Sequence, residues 1–316
     1  MNGTILFADP YSDDLLQSLA SVDWPVMNAA QASRMELLEW VSKAEILVIR
    51  SRTVVNETLV KNAPLLKLVV RGGSGSEHID KEALTKRSIQ LITTPEANRD
   101  AVGEQSVGML LGLLNNIYRA DRSMRQFEWK RIENKGYELA SRTVGIIGYG
   151  NTGQAFARKL SGFATTVIAY DKYKEGFSDQ YVNEVSLLDL QERADVLSLH
   201  IPLTNETRYY FDHSFIQAMK KRFWLLNLSR GEVVHTSALI TGLNEGKILG
   251  AGLDVFENEQ FSHLTEIQAY ELKALFEREN VIVTPHIGGV TMESEARIIR
   301  SVRKAIADYV VAHYGA

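Results

Sequence analysis

Residues 143–171, TVGIIGYGNTGQAFARKLSGFATTVIAYD, constrain this chain more than any other stretch. A short apolar run over 144–147 enters Gly148-Tyr-Gly150-Asn-Thr-Gly153. A helix-period segment with Ala155, Phe156, Ala157 and Leu160 follows, and a second apolar run, 166–170, ends on Asp171. A G-x-G-x-x-G alone is weak evidence. Between a strand and a helix, with an acid about twenty residues on, it points to a βαβ unit that binds a dinucleotide. The glycines allow a tight turn and close approach of the backbone to a pyrophosphate. The helix N-terminus offers that anion free N–H groups and the positive end of its dipole. Gly148, Gly150 and Gly153 are the glycines of that expected phosphate turn. Asp171 would accept from the ribose hydroxyls, which favours NAD over NADP. Lys172 and Lys174 would reach a 2′-phosphate only if that acid turned away; two solvated loop lysines are the plainer reading.

At 316 residues there is chain enough for two domains. Lys and Arg total 35 against 39 Asp and Glu, a net charge of −4, so there is no electrostatic case for nucleic acid or an anionic membrane as partner. With no cysteine, disulfides, thiolate zinc sites and a cysteine nucleophile are excluded. The opening MNGTILFADP has no basic n-region and no cleavable apolar core, and no apolar run approaches a membrane span. A cytoplasmic location is the expectation, and nothing in the sequence asks for a metal.

Strand-like runs at 4–8, 46–49, 66–70 and 90–92 alternate with helical segments such as 14–19 and 35–43. That alternation predicts a parallel sheet with helices on both faces. One long helical pattern then covers 99–125, after Thr94-Pro95 has broken the preceding strand. The glycine motif opens a second βα series with six expected strands: 144–147, 166–170, 196–200, 223–228, 248–254 and 281–283. A helix over 292–309 closes the chain. The expected class is α/β: a doubly wound parallel-sheet Rossmann domain, 99–287, and a discontinuous flavodoxin-like substrate domain, 1–98 plus 288–316. The cleft between such domains is the expected binding place.

Three segments of the second series place reactive side chains just past strands, where open α/β sheets bind ligands. WLLNLSRGEVV carries Arg230, whose planar fork suits a carboxylate, although a surface arginine in a helix-entry loop reads equally well. GLDVFENEQF carries Asp254, Glu257 and Glu259: either a solvated acidic loop or the source of a carboxylate that orients a histidine. VIVTPHIGG carries His286, followed by two glycines that would let a ligand approach. Among seven histidines, His286 has the best placement, and His200, in VLSLHIP, is its rival.

Together these segments resemble the D-2-hydroxyacid dehydrogenases, in order and over nearly the whole length. RGGSGSEHID, PEANRDAVGEQSVGMLL, GYGNTG, NLSRGEVV, AGLDVFENE and TPHIGG carry the likeness. The resemblance implies that Arg230 binds the substrate carboxylate, that His286 is the general acid and base, and that Glu259 pairs with it, Glu257 being the alternative. It puts Asn151 and Thr152 at the phosphates, His200, Ile201, Pro202 and Thr207 on the adenine side of NAD, and Leu228, Ser229, Asp254 and Gly288 on the nicotinamide side. Gly73, Ser74 and Gly75 would offer backbone N–H groups to the substrate, with Asn98 alongside.

Arg50 and Arg71 each end a strand of the first series, and together they suit a phosphate. The chain is similar at both positions to the phosphoglycerate dehydrogenases, which implies a role in serine biosynthesis. Hydroxypyruvate, glyoxylate or D-lactate chemistry is the alternative, as are structural ion pairs of these arginines with Asp80 or Glu104. No appended regulatory domain is expected past the final helix. A homodimer is implied, with the apolar helix 101–117 covered by a partner or else buried in its own subunit. A non-catalytic NAD sensor on the same scaffold is the competing class; the Arg230, Glu259 and His286 set favours an enzyme.

Overall fold

Runs of four residues with no polar side chain, such as Ile46–Ile49, are stable only where both faces of a strand are covered. The computed structural model, which describes residues 3–11, 15–16 and 24–315, puts them there. The chain divides into two units, Met1–Asn98 with Thr291–Ala316, and Arg99–Val290.

The first unit holds five parallel strands: β1 (Ile5–Phe7), β2 (Val26–Asn28), β3 (Ile46–Ile49), β4 (Leu68–Arg71) and β5 (Gln90–Thr93). Their order is β2-β1-β3-β4-β5, the flavodoxin-like arrangement. One face of the sheet buries Leu6, Leu47, Ile49 and Val69 under helices Arg34–Val41, Glu57–Lys61 and Lys81–Lys86. Ser33, Asn56 and Asp80 start those helices by accepting from first-turn N–H groups. Asp80, weighed above as an arginine partner, is engaged as a helix cap. The other face buries Ile5, Phe7, Val48, Leu68 and Val70 against Ile298, Val302, Ile306 and Tyr309 of the helix Met292–Tyr314. Each such side chain contributes roughly 1.5–3 kcal/mol by leaving water. That helix runs five residues beyond its expected end. β2 was not expected: it is three residues long, and its Val26 and Asn28 are exposed. The helix expected over 14–19 lies outside the described residues apart from Leu15 and Leu16.

The second unit holds seven strands rather than the expected six: β6 (Thr143–Ile147), β7 (Thr166–Tyr170), β8 (Asn183–Glu184), β9 (Val196–Leu199), β10 (Phe223–Asn227), β11 (Ile248–Leu253) and β12 (Val281–Val283). The addition is β8, a two-residue edge strand too short to show a period. The order β12-β11-β10-β9-β6-β7-β8 is doubly wound, with its switch point between β6 and β9. The long helical pattern is also corrected. It breaks into Arg99–Leu114 and Ile117–Arg125, because Asn116 takes φ +53°. The first of these helices buries Val102, Met109, Leu110 and Leu113 in the core of its own unit. Gly103 there is so close to Ala155 that a Cβ would lie 3.1 Å from its carbonyl carbon. Its apolar excess is thus accounted for without a partner, while Ile117 and Tyr118 beyond the break are exposed.

Candidate functional site

The switch point is built by β6 running into Gly148, which has φ +90° and lies so close to β9 that a Cβ would sit 2.6 Å from the His200 carbonyl oxygen. Gly153 is packed onto the Gly148 carbonyl with no room for a side chain, whereas Gly150 faces open space. Helix Asn151–Lys159 starts at Gly150 with no side-chain cap, so its first-turn N–H groups are available to an anion. The chain's own geometry therefore fits a dinucleotide pyrophosphate. Asp171 ends β7 and accepts from the backbone N–H of Tyr149 (2.8 Å) and of Tyr173 (3.0 Å), which fixes its carboxylate beside the glycine turn. Both loop lysines are engaged: Lys172 pairs with Glu206, and Lys174 donates to the Tyr149 carbonyl at 2.8 Å. Neither waits for a 2′-phosphate.

His200 is buried under this turn. Its Nε2 bonds Ser198 Oγ at 2.8 Å and its Nδ1 meets Thr152 Oγ1 at 3.2 Å. Burial pushes its pKa down to about 4, so it is neutral at pH 7 and acts as a clamp on Thr152. Ile201 and Pro202 follow it, and Thr207 closes their loop by donating to the Pro202 carbonyl at 2.6 Å.

Arg230, Glu259 and His286 follow β10, β11 and β12, three adjacent strands. Buried Asn227 ends β10 and builds the turn that presents Arg230. Its Oδ1 accepts from Ser229 N–H (3.1 Å) and Ser229 O–H (2.8 Å), and its Nδ2 donates to the Arg230 carbonyl (3.0 Å). Leu228 is buried in the same turn. His286 Nδ1 and Glu259 Oε2 are 2.8 Å apart. That hydrogen bond raises the His286 pKa above its ordinary value, against the opposing effects of partial burial and of the nearby Arg230 guanidinium. The alternative partner, Glu257, is taken. Its Oε1 accepts from Thr236 N–H at 2.5 Å, and its Oε2 from Tyr209 O–H at 3.2 Å.

Asp254, 1% exposed, organises the histidine loop. Its Oδ1 accepts from Ile287 N–H (2.9 Å), Thr284 O–H (2.5 Å) and Gln105 Nε2 (3.1 Å), and its Oδ2 accepts from Gly288 N–H (2.7 Å). The Asp254 carbonyl also accepts from His286 N–H at 2.8 Å. These bonds hold His286 at φ +54°, a left-handed backbone that a non-glycine residue adopts only when its surroundings impose it. A side chain at Gly288 would meet Asp254 Oδ2 at 2.9 Å.

The first unit gathers the remaining candidates. Buried Asp9, just past β1, accepts from the backbone N–H of Arg50 (2.6 Å) and from the Thr53 hydroxyl (2.6 Å). Arg50 lies 3.5 Å from Glu295, not beside either acid weighed above; Glu104 pairs with Lys159 at 2.7 Å. Arg71 Nη1 donates to the Gly72 carbonyl at 3.1 Å, over Gly73, whose φ is +129°. Gly73 N–H donates to Thr94 Oγ1 at 2.6 Å and so already has an acceptor. Ser74 after it is exposed and Gly75 is buried. Asn98 Oδ1 is buried with no hydrogen-bond partner among the described residues.

Sequence reasoning passed over Asp9, which holds the Arg50 backbone, Asn227, which holds the Arg230 turn, and Gln105 and Thr284, which bond to Asp254. Their signal was modest: an acid or amide at a strand end, and a threonine before the Pro-His pair. Among the described residues no cluster of His, Asp or Glu is arranged to hold a metal ion, and no helix is long and apolar enough to cross a membrane.

The family model for "D-isomer specific 2-hydroxyacid dehydrogenase, NAD binding domain" matches residues 107–288. A hydroxypyruvate reductase of Thermotoga maritima is 33% identical over 290 residues, 92% of each chain. A D-3-phosphoglycerate dehydrogenase of Methanocaldococcus jannaschii is 36% identical over 296 residues, 92% of this chain. The chain spans about half that relative's length, 54%. The crystal structure of a D-lactate dehydrogenase from Aquifex aeolicus, complexed with NAD and lactic acid, superimposes with a TM-score of 0.86 at 28% identity, covering 98% of this chain and 96% of that one. The chain belongs to the D-isomer-specific 2-hydroxyacid dehydrogenase family, and residues 107–288 are its NAD-binding domain.

Proposed function

We propose that this chain interconverts a D-2-hydroxy acid and its 2-keto acid with NAD, and that the acid carries a phosphate, as 3-phosphoglycerate does. The 2.8 Å bond between His286 and Glu259, with Arg230 close by, carries the reaction assignment. With Nδ1 held by Glu259, Nε2 of the imidazolium is left to donate its proton to the keto oxygen. Arg230 binds the substrate carboxylate and, with His286, stabilises the negative charge that develops on that oxygen. The bound cofactor supplies the hydride for reduction and takes it back in oxidation.

In this reading the first unit serves the substrate, through Arg50, Arg71, Ser74, Gly75 and Asn98, and the second serves NAD. Two guanidinium groups at the ends of neighbouring strands support a phosphorylated acid. The specific observation for a second reading, hydroxypyruvate or glyoxylate reduction, is the engagement of Arg50 by Glu295. The enzyme would act in the cytoplasm, in serine synthesis, as a homodimer. Exposed Phe127, Trp129 and Ile132 support a face that a second copy covers.

The test is NADH oxidation by the pure protein against 3-phosphohydroxypyruvate, hydroxypyruvate, glyoxylate and pyruvate in parallel. Preference for the first is the expected result; preference for an unphosphorylated acid keeps the chemistry and discards that substrate. His286→Ala should abolish turnover while NADH still binds. If NADH binding is lost instead, the role given to His286 is wrong.

A further inference from the structure

Arg50 is restrained on three sides within the first unit. Its backbone N–H is tied to buried Asp9, and its carbonyl accepts from His78 Nε2 at 2.9 Å. Its guanidinium lies 5.6 Å from the centre of the Tyr11 ring. Tyr11 cannot give way, because its hydroxyl donates to the Ile49 carbonyl at 2.9 Å and lies over Gly72, where any Cβ would strike it. The remaining neighbour is Glu295, in the first turn of helix Met292–Tyr314, 3.5 Å from Arg50 Nη1. Both side chains keep contact with water, being 34% and 47% exposed, so the pair is loose enough for another anion to compete.

We propose that Glu295 is a specificity-determining residue, whose carboxylate competes with a substrate phosphate for Arg50 and so holds down the site's preference for acids that carry that second anionic group. The inference rests on the reading of Arg50 as a phosphate ligand. A dianion arriving at Arg50 meets a carboxylate already on the same guanidinium, and must displace it or bind beside it. A neutral hydroxyl or a methyl at that end of the substrate meets no such opposition. Arg71 Nη1 is turned onto the Gly72 carbonyl, so that nitrogen does not ease the contest at Arg50. Burial, helped by Arg71, holds the His78 pKa below its ordinary value and so disfavours a positive charge there.

The test is Glu295→Gln, assayed by NADH oxidation with 3-phosphohydroxypyruvate and with hydroxypyruvate. The ratio of kcat/KM, phosphorylated over unphosphorylated, should rise on the order of tenfold, as expected for removing one like charge at a half-exposed site. The gain should appear in KM for the phosphorylated acid. Glu295→Ala should give the same shift, and Arg50→Ala in the Glu295→Gln background should erase it. An unchanged or lowered ratio in both Glu295 variants, with Arg50→Ala still selectively weakening the phosphorylated acid, overturns the role of Glu295 and leaves the phosphate reading standing. Equal losses on both acids in Arg50→Ala overturn the phosphate reading itself, and this inference with it.

Discussion

Asp254→Ala is the substitution whose consequences the geometry fixes most closely. The wild-type carboxylate accepts from two backbone N–H groups, Ile287 and Gly288, and from the side chains of Thr284 and Gln105. On truncation, the threonine hydroxyl can rotate and the glutamine can turn toward solvent, but the two backbone donors are held by the loop. A buried donor without an acceptor costs about 1–3 kcal/mol, so Gly288 N–H alone puts the loss at that figure, and the part-buried Ile287 N–H adds a smaller share because water can reach it, together a large fraction of the stability of an ordinary domain. The left-handed backbone of His286, which costs about 1–2 kcal/mol to hold, then relaxes and draws the imidazole away from Glu259. Asp254→Asn separates the contributions. Its amide oxygen can still serve the three Oδ1 donors while its NH2 confronts Gly288 N–H, which predicts a loss of about 1–3 kcal/mol. Urea unfolding followed by circular dichroism measures the stabilities, and amide hydrogen exchange localises them. Faster exchange at Ile287 and Gly288 in the alanine variant, and chiefly at Gly288 in the asparagine variant, is expected. Wild-type protection at both amides in Asp254→Ala would refute the reasoning.

Three further outcomes follow from the site. Glu259→Gln removes the group that raises the His286 pKa, so the alkaline limb of keto-acid reduction should move to lower pH; a profile that stays in place removes Glu259 from that role. The sign of the linked stability is fixed by the same shift. The stabilising contribution of the raised pKa is fully present below the unfolded-state pKa of histidine and is lost as pH rises through the higher folded value, so this pH dependence should shrink in Glu259→Gln. Asp171→Ala should relax the preference for NAD over NADP and also cost stability, since Tyr149 and Tyr173 lose their acceptor; an unchanged cofactor ratio would show that the ribose is held elsewhere. Gly153→Ala drives a methyl group into the Gly148 carbonyl, which should weaken NADH binding at least tenfold in a fluorescence titration; tight binding would mean that the turn can open without consequence.

Both sheets were legible because most of their strands are continuous apolar runs bounded by polar residues or glycine, and 46–49, 166–170 and 281–283 lie where the pattern put them. Short edge strands were illegible for the converse reason: β2 and β8 bury too little to leave a period. The break at Asn116 was hidden because asparagine is a passable helix residue, and only the backbone reveals its left-handed turn. In the site, the sequence placed Arg230 and His286 at strand ends but could not choose between Glu257 and Glu259 from residues alone. That choice depends on Thr236 and Tyr209 occupying Glu257, contacts that lie 21 and 48 residues away in the chain. Arg50 shows the same limit, since its acidic neighbour is in the terminal helix.

β12, from which His286 hangs, is the outermost strand of its sheet, three residues long and paired on one side only, to β11. Arg230 hangs from β10, which has neighbours on both sides. Margins of sheets fray before interiors do. His286, the proposed proton donor, is therefore mounted on an edge of the scaffold, and Arg230, the proposed carboxylate clamp, on one of its firmest members. On warming, such a protein is expected to fall silent before it comes apart, still holding its ligand but with the acid no longer in reach.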